Sequence, residues 1–512
     1  MNIRWAGAVP VVVMVATTQG SGATLDREHV ANYENVLGTS LELRVLAPSQ
    51  LVAYRAERAV LAEIVRQSRI LSSWDPKSEV SEWAGTRGQA VTVSPELLDV
   101  LGLFDHWRGR SQGAIDPAAQ AVIAAWTRAA SANRLPTNEE RATALDAVRQ
   151  SHWTLDPARR TATRLSGTPL VFASLTKTYI MNKAVEAASA VEGVHGLTLN
   201  LGGDIVARGS STEVIDIADP RDDAENSAPV STIAVRNRTV ATSGDYRRGV
   251  TIDGTHYSHI VDPRTGLPAT AAISATVVAE NPTDAGALAT AFTVLAPSES
   301  RQLAASVPGV EYLLITPDGA RVGSAGWSAL EAAARTAPKA APAAGRTAAV
   351  SAQAKAGGAW DTSMELAVDF QIPMLPGAAK RPFIALWIED ADKYPVRTIA
   401  LWYHEDRWLT ESKAWYRADR LRSMSESTSI VRSIGAATRA PGKYTLKWDG
   451  KDNDGNLVKA GTYTVYLESV REHGTYQLIR QEMRFSGATQ HFEFKPGSEL
   501  GPVTFDYRKI AK

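Results

Sequence analysis

The 512 residues are 44% hydrophobic and 21% charged, a globular balance, and are too many for one core, so two or three domains are expected. Lys+Arg and Asp+Glu number 55 each, so no global field favours nucleic acid or an acidic membrane, while a local basic patch stays open. The absence of cysteine excludes disulfides, thiolate metal sites, Cys nucleophiles and lipoprotein anchoring.

Residues 1–23 read as an export signal. Arg4 supplies a positive start, AGAVPVVVMVATT is an apolar core too short to cross a bilayer, and Ser21 to Ala23 offer small residues for cleavage. A buried N-terminal strand is the competing reading; Pro10 and the polar end of the run count against it. The mature chain then begins near Thr24 and works outside the cytoplasm, periplasmic or otherwise exported. No later stretch reaches the roughly 18 apolar residues of a transmembrane helix.

Residues 30–334 mix helical and strand patterns, as an α+β or α/β domain does. SLELRVLA alternates like a strand, and RAERAVLAEIVRQSRIL sets Val60, Leu61, Ile64, Val65 and Ile70 at helical spacing opposite charges. HGLTLNLGGDIVARG reads as strand, Gly turn and strand; ISATVVAE is strand-like and DAGALATAFTVL a short buried helix. Residues 335–359 are Ala-, Pro- and Gly-rich without apolar period, so they read as a linker. Residues 360–512 then run in short alternating segments such as MELAVDFQIP, TIALWYH and TYTVYLESV between Gly, Pro, Asn and Asp, the pattern of an all-β sandwich. In that region DGKDNDGN (Asp449 to Asn456) lacks the spacing of an EF-hand loop and is expected to be a plain hairpin loop. The Trp-rich run from Leu386 to Tyr416 is either a binding face or core aromatics.

Chemistry-bearing residues gather in separate blocks of the first region. They are VLGTSLELRV, SSWDPKSEVSEW, GAIDPAAQAVIAAW, VFASLTKTYIMNKAVE, LNLGGDIVARG and TSGDYRRGVTIDGTHYSHIVDPRTGLP. Each alone is weak, since Gly-Gly-Asp and Asp-Pro usually mark turns. In their order and spacing, over roughly Val36 to Leu295, they resemble the ApbE family, the FAD:protein FMN transferases. The resemblance implies that FAD is cleaved, FMN is joined by a phosphoester to a Thr or Ser of another exported or membrane-anchored protein, and AMP leaves. It also implies Mg²⁺.

By the resemblance, Gly202, Gly203 and Asp204, and Thr242, Ser243, Gly244 and Asp245, lie against the nucleotide. Leu37, Gly38 and Thr39 lie against the flavin, and Asp116 and Lys177 belong to the nucleotide pocket; helix N-capping alone would also place an Asp before Pro117. His259 and Asp262 match the family's catalytic motif, His259 as base or charge stabiliser. A histidine satisfying a buried turn is the plain alternative for His259, His256 reads as a bystander, and Arg264 and Thr265 close a hairpin tip.

Two departures stand out. The family's Lys-Gly is here Lys177-Thr178, with Asn182 where an Asp is usual. Its Asp-x-x-x-Thr metal pair, two oxygens on one helical face, is here Gly286 and Thr290. Metal ligands are therefore expected from Thr176, Asp284 and Thr290, although Asp284, six residues before Thr290, is about 240° away around a helix. Asp262 or Asp245 is the substitute if Asp284 does not serve.

The second domain resembles a family of uncharacterised exported domains fused to these transferases, and an Ig-like repeat of flagellar hook-capping proteins; both imply partner docking. SGAT, similar to the family's acceptor sites, recurs at Ser486 to Thr489, where a turn between strands is expected over self-flavinylation of Thr489. The expected function is an exported, Mg²⁺-dependent FMN transferase; a non-catalytic flavin binder and an FAD pyrophosphatase are the alternatives.

Overall fold

The computed structural model describes residues 26–222, 224–244, 249–336, 358, 360–374, 380–404, 406–426, 428–472 and 474–510. The export-signal reading, most of the linker and Asp245 fall outside them.

The first domain opens with a hairpin, β1 (Arg27–Val36) and β2 (Thr39–Ala47), whose turn residues Leu37 and Gly38 have φ of 51° and 80°. Helix α1 (Gln50–Leu71) begins where the Ser49 hydroxyl accepts the Val52 N–H, and α2 (Pro95–Arg110) where Ser94 accepts from Leu97. Helices α3 (Ala119–Ser131) and α4 (Ala173–Ser189) follow. Next come β3 (Gly196–Leu201), β4 (Asp204–Gly209), β5 (Thr212–Ile217), β6 (Ser231–Arg236), β7 (Thr239–Gly244) and β8 (Ser274–Ala279). Helix α5 (Pro282–Val294), β9 (Glu311–Ile315) and β10 (Arg321–Gly323) complete the frame.

The main sheet has eight strands in the order β1-β2-β3-β4-β7-β8-β9-β10, every neighbour antiparallel. The domain is therefore α+β. Helices α1, α4 and α5 pack in sequence beneath this sheet, with α5 against β7 and β8. All six residues of β8 are buried because both faces are covered. Ala275 and Val277 join the helix-side core, while Val278 meets the β5–β6 ribbon and Trp327.

The patterned helix is α1, with one adjustment: Val60 and Ile64 are buried, Val65 is 51% exposed, and Gln67 sits inside instead. The run DAGALATAFTVL is the buried α5, as expected. Its small side chains let it approach α4 and the sheet closely.

The second domain packs two sheets. Its elements are β11 (Met364–Ile372), β12 (Phe383–Glu389), β13 (Pro395–Tyr403), α6 (Lys413–Glu426), β14 (Gly435–Ala437), β15 (Gly442–Trp448), β16 (Gly461–Val470), β17 (Tyr476–Phe485), β18 (Gln490–Phe494) and β19 (Val503–Lys509). One sheet runs β15-β11-β19-β18, the other β14-β13-β12-β16-β17. The sandwich carries a helix, α6, that alternation did not predict; the Glu468 side chain accepts the Ala414 and Trp415 N–H groups at 2.9 and 2.8 Å, holding the helix start to β16. Trp387, Trp402 and Trp415 of the Trp-rich run are 1%, 3% and 1% exposed and are core aromatics, while Tyr416 at its end is 39% exposed. In the 449–456 loop the Asp452 carboxylate accepts the Asp454 and Asn456 N–H groups, an Asx turn. Ser486 to Thr489 form the bend that carries the chain from β17 in one sheet to β18 in the other.

Candidate functional site

A cavity of about 660 Å³ opens where α4 and α5 meet the ends of β3, β4, β5 and β7. Ligand pockets commonly hold about 300–1,000 Å³, so a dinucleotide-sized ligand is within range. Its floor comes from two helices. At i, i+3 and i+4, α4 presents Ser174, Lys177 and Thr178; at the same spacing α5 presents Gly286, Ala289 and Thr290. The α4 N-terminus opens into the cavity through Ala173 and Ser174, and the residue before it, Phe172, provides no side-chain cap. Uncapped N–H groups and the helix dipole favour an anion there.

Lys177 Nζ lies 2.6 Å from Asp204 Oδ2, and the other Asp204 oxygen accepts the Thr242 N–H at 3.2 Å. One buried carboxylate thus ties α4, β4 and β7 together at the cavity. Gly202 and Gly203 take φ of 59° and 94° in the β3–β4 turn. A Cβ on Gly202 would stand 2.5 Å from Thr39 Oγ1, so the β1–β2 turn rests on this glycine, and only glycine allows the contact.

The structure brings together Lys177, Gly202, Gly203, Asp204, Thr242, Ser243, Gly244, Thr290 and His259 in the cavity lining. Leu37, Gly38 and Thr39 border it from the hairpin turn without lining it. Other expected residues sit apart. Asp262 is held by Arg264, with Nε–Oδ1 at 2.9 Å and Nη2–Oδ2 at 3.0 Å, and accepts the Arg264 N–H; it builds the turn beyond His259. Asp116 accepts the Ala118 N–H at 2.7 Å and pairs with Arg108 at 2.7 Å, outside the lining. Burial pushes its carboxyl up to about 6, against the pull of Arg108. The Thr176 hydroxyl donates to the Phe172 carbonyl within α4. Asp284 lines a second cavity with Asp99, Tyr179 and Lys183, and burial raises its pKa.

Sequence reasoning missed one wall. Ile215, Asp216 and Ile217 at the end of β5, with Ala218 directly after it, close the cavity, and Asp216 accepts the Thr232 hydroxyl at 2.6 Å. Alternation in TEVIDI marks a strand, but nothing in it points to the cavity.

The donor set can be tested against Mg²⁺. A Cβ on Gly286 would lie 2.6 Å from Thr178 Cγ2 and 2.7 Å from Thr178 Oγ1. The two departures noted in the sequence are thus one contact: Thr178 fills the space that an Asp at 286 would need. Thr290 Oγ1 is turned to the Gly286 carbonyl at 3.1 Å, Asp204 is committed to Lys177, and Asp262 to Arg264. Among the described residues no three His, Cys, Asp or Glu side chains cluster to hold a metal ion. Mg²⁺ asks for near-octahedral oxygen ligation with one or two carboxylates. The described residues do not fit a resident ion.

The profile of the ApbE family matches residues 37–314, more than half of the chain. The chain belongs to the ApbE family. A second profile, described as "Predicted periplasmic protein (DUF2271)", matches residues 365–502. The chain is similar to the FAD:protein FMN transferase of Treponema pallidum, 29% identical over 338 residues, 61% of this chain and 92% of that one. The transferase of Klebsiella pneumoniae is 24% identical over 291 residues, covering 54% and 82%. The crystal structure of the ApbE protein of Thermotoga maritima matches with a TM-score of 0.52 at 27% identity, covering 60% of this chain and 99% of that one. The family resemblance drawn from LNLGGD, ATSGDYRRG and YSHIVDPRTGLP is met, and so is that of the C-terminal domain to uncharacterised exported domains. No helix of the described residues is long and apolar enough to cross a membrane.

Proposed function

We propose that this chain is an exported FAD:protein FMN transferase. The acceptor is an exported or membrane-anchored protein carrying a Ser/Thr-Gly-Ala-Ser/Thr site. The acceptor hydroxyl oxygen attacks the FMN phosphorus, and the bond from that phosphorus to the bridging oxygen breaks. AMP leaves with that oxygen, FMN stays as a phosphoester, and the hydroxyl proton passes to a base. His259, on the cavity wall, is the base or charge stabiliser in this reading.

The observation that carries the reading is the joint placement of Lys177 and the uncapped α4 N-terminus in a cavity walled by the family's Gly-Gly-Asp and Thr-Ser-Gly segments. Lys177 and the uncapped N–H groups meet the diphosphate, the Gly202–Gly203 turn, open at Gly203, admits the dinucleotide, and Asp204 holds Lys177 in register. A resident divalent cation has no part in it, because the donor set of the described residues does not fit one. A second reading, a flavin binder without turnover, is favoured by one observation, the Thr178–Gly286 packing.

The test incubates the mature protein with FAD and an exported acceptor domain, with Mg²⁺ and with chelator, following AMP and protein-bound flavin fluorescence. A labelled acceptor supports transfer, and its survival in chelator supports the site without a resident ion. AMP without label means hydrolysis, and FAD binding without AMP selects the flavin binder.

A further inference from the structure

The C-terminal sandwich meets the first domain at one of its sheet edges. β15 is the outer strand of the sheet β15-β11-β19-β18, and such an edge exposes backbone donors and acceptors. Here it is covered by the segment that joins β5 to β6. Ala224 forms a parallel bridge to Thr445, and the Glu225 N–H donates to the Thr445 carbonyl at 2.9 Å. The Asn226 side chain imitates a further strand residue, accepting the Lys447 N–H at 2.7 Å and donating to its carbonyl at 2.6 Å. Charges frame these bonds. Lys447 Nζ reaches Asp222 at 2.8 Å, and Arg439, whose guanidinium stacks 4.8 Å over Trp402, reaches Glu225 at 3.3 Å. Ala224 is 4% exposed, so the bridge at its centre is shielded from water while Asn226 lies at the rim.

The same segment is the continuation of the cavity wall. Asp216, Ile217 and Ala218 line the cavity, and Asp222, four residues after Ala218, is already bonded to the sandwich. At its base the Val230 N–H donates to the Ile217 carbonyl at 2.9 Å, and Ile217 packs with Ile233 and Trp327. The sandwich touches a second cavity-bordering element as well. β14 lies against β1 and β2, and Tyr33 of β1 meets His404 edge-on with ring centroids 6.1 Å apart.

We propose that the C-terminal domain is a clamp for the nucleotide pocket: its edge strand β15 captures Asp222, Ala224, Glu225 and Asn226 and so fixes the Asp216–Ala218 wall. Asn226 and Lys447 are positioning residues, acting on the ligand through that wall. The proposal rests on the flavin-nucleotide reading of the cavity and assigns the sandwich an internal task besides any partner it docks.

The experiment uses the full chain with Asn226→Ala, Lys447→Ala and the double variant. FAD affinity is read by flavin fluorescence, the KM and kcat of AMP formation with an acceptor domain, and hydrogen exchange over residues 215–230. The double variant is expected to bind FAD roughly fivefold more weakly, the size of an ordinary coupling between distant sites, through KM with kcat little changed. Exchange at Ile215 to Ala218 is expected to rise. A purely structural contact would lower the melting temperature and leave FAD affinity unchanged, and a folded double variant with parental FAD affinity overturns the clamp. Asn226 is exposed, so its single variant keeps the test alive if the double does not fold. Should the parent not bind FAD, the functional reading falls, and the clamp is still decided by exchange: no rise at Ile215 to Ala218 refutes it.

Discussion

Substituting Gly286→Asp, which restores the carboxylate the family places there, is expected to damage the fold rather than repair a metal site. The new Cβ arrives 2.6 Å from Thr178 Cγ2 and 2.7 Å from its Oγ1, and 3.2 Å from its Cβ, so rotating Thr178 does not clear the space. Both residues sit on packed helices, α4 and α5. Overpacking of this kind costs about 1–3 kcal/mol. Replacing a helical glycine returns up to about 1 kcal/mol, and the carboxylate gives part of that back as it is pressed against buried neighbours. A net loss of about 2 kcal/mol results, and in a domain of this size each kcal/mol moves Tm by about 2–4 °C. Gly286→Asp should therefore melt about 4–8 °C below the parent. Adding Thr178→Gly removes the obstacle, so the double variant should recover with a coupling of about 1–2 kcal/mol. Thermal unfolding of the parent, both single variants, the double and Gly286→Ala measures this, the alanine separating volume from charge. With space and carboxylate both restored, Mg²⁺ should raise the Tm of the double variant and not of the parent. A Gly286→Asp protein melting with the parent, or strictly additive single effects, would falsify the coupled-pair argument.

Removing Lys177 as Lys177→Ala strands the buried Asp204 carboxylate, so FAD affinity should fall about tenfold and stability by about 1–2 kcal/mol, the pair being partly solvent-screened; flavin titration and urea unfolding report these separately. His259→Ala should slow transfer about 10²–10⁴-fold while FAD binding persists; a rate close to the parent's would remove His259 from proton transfer. The pair His152 and Asp116, 4.0 Å apart, should shape the acid side of the stability curve. Burial, aided by Arg108, lowers His152 from 6.5 to about 4, so its contribution is full above pH 6.5 and is lost as pH falls toward 4. Asp116, raised from 3.8 to about 6 by burial, works oppositely: its contribution is full below pH 3.8 and is lost as pH rises through 6. Replacing His152→Gln should therefore make the change in unfolding free energy between pH 7 and pH 5 more favourable to the folded state by about 2 kcal/mol, measured by urea unfolding; equal pH dependence in both proteins would refute the assignment.

What the sequence disclosed depended on the range of the interaction involved. Strand alternation in β2, the continuous apolar run of α5 and the Gly202–Gly203 turn are local, and each is present in the fold. His259 and Asp262 lie in one short motif, yet one faces the cavity and the other is consumed by Arg264; a side chain's direction at a tight turn is not written in residue spacing. Asp116 was legible as both pocket residue and cap, and its bond to the Ala118 N–H with its Arg108 partner places it in the scaffold. The Asp216–Ala218 wall was invisible because it is a wall only through its position over β7 and the helices. The tryptophans resisted a decision for a similar reason: alternation says which residues share a face, not which face is covered.

The two departures on α4 and α5 act as one contact, Thr178 against Gly286. Taken singly, a threonine for glycine stiffens one helix and a glycine for aspartate deletes one ligand. In the folded chain the threonine methyl and hydroxyl occupy the volume released by the glycine, so packing density is kept while the charge is lost. Electrostatically, a carboxylate and the divalent ion it would hold contribute about one net positive charge, and removing both leaves Lys177 and the α4 N-terminus to face a diphosphate. Deleting the carboxylate alone spares the ligand a repulsion, so the pocket loses less than the missing ion by itself would imply. The same balance explains why Asp204 is retained under Lys177: it orients the remaining cation at 2.6 Å and is itself tied down by Thr242, so the positive charge is held at the cavity floor and not spread through solvent.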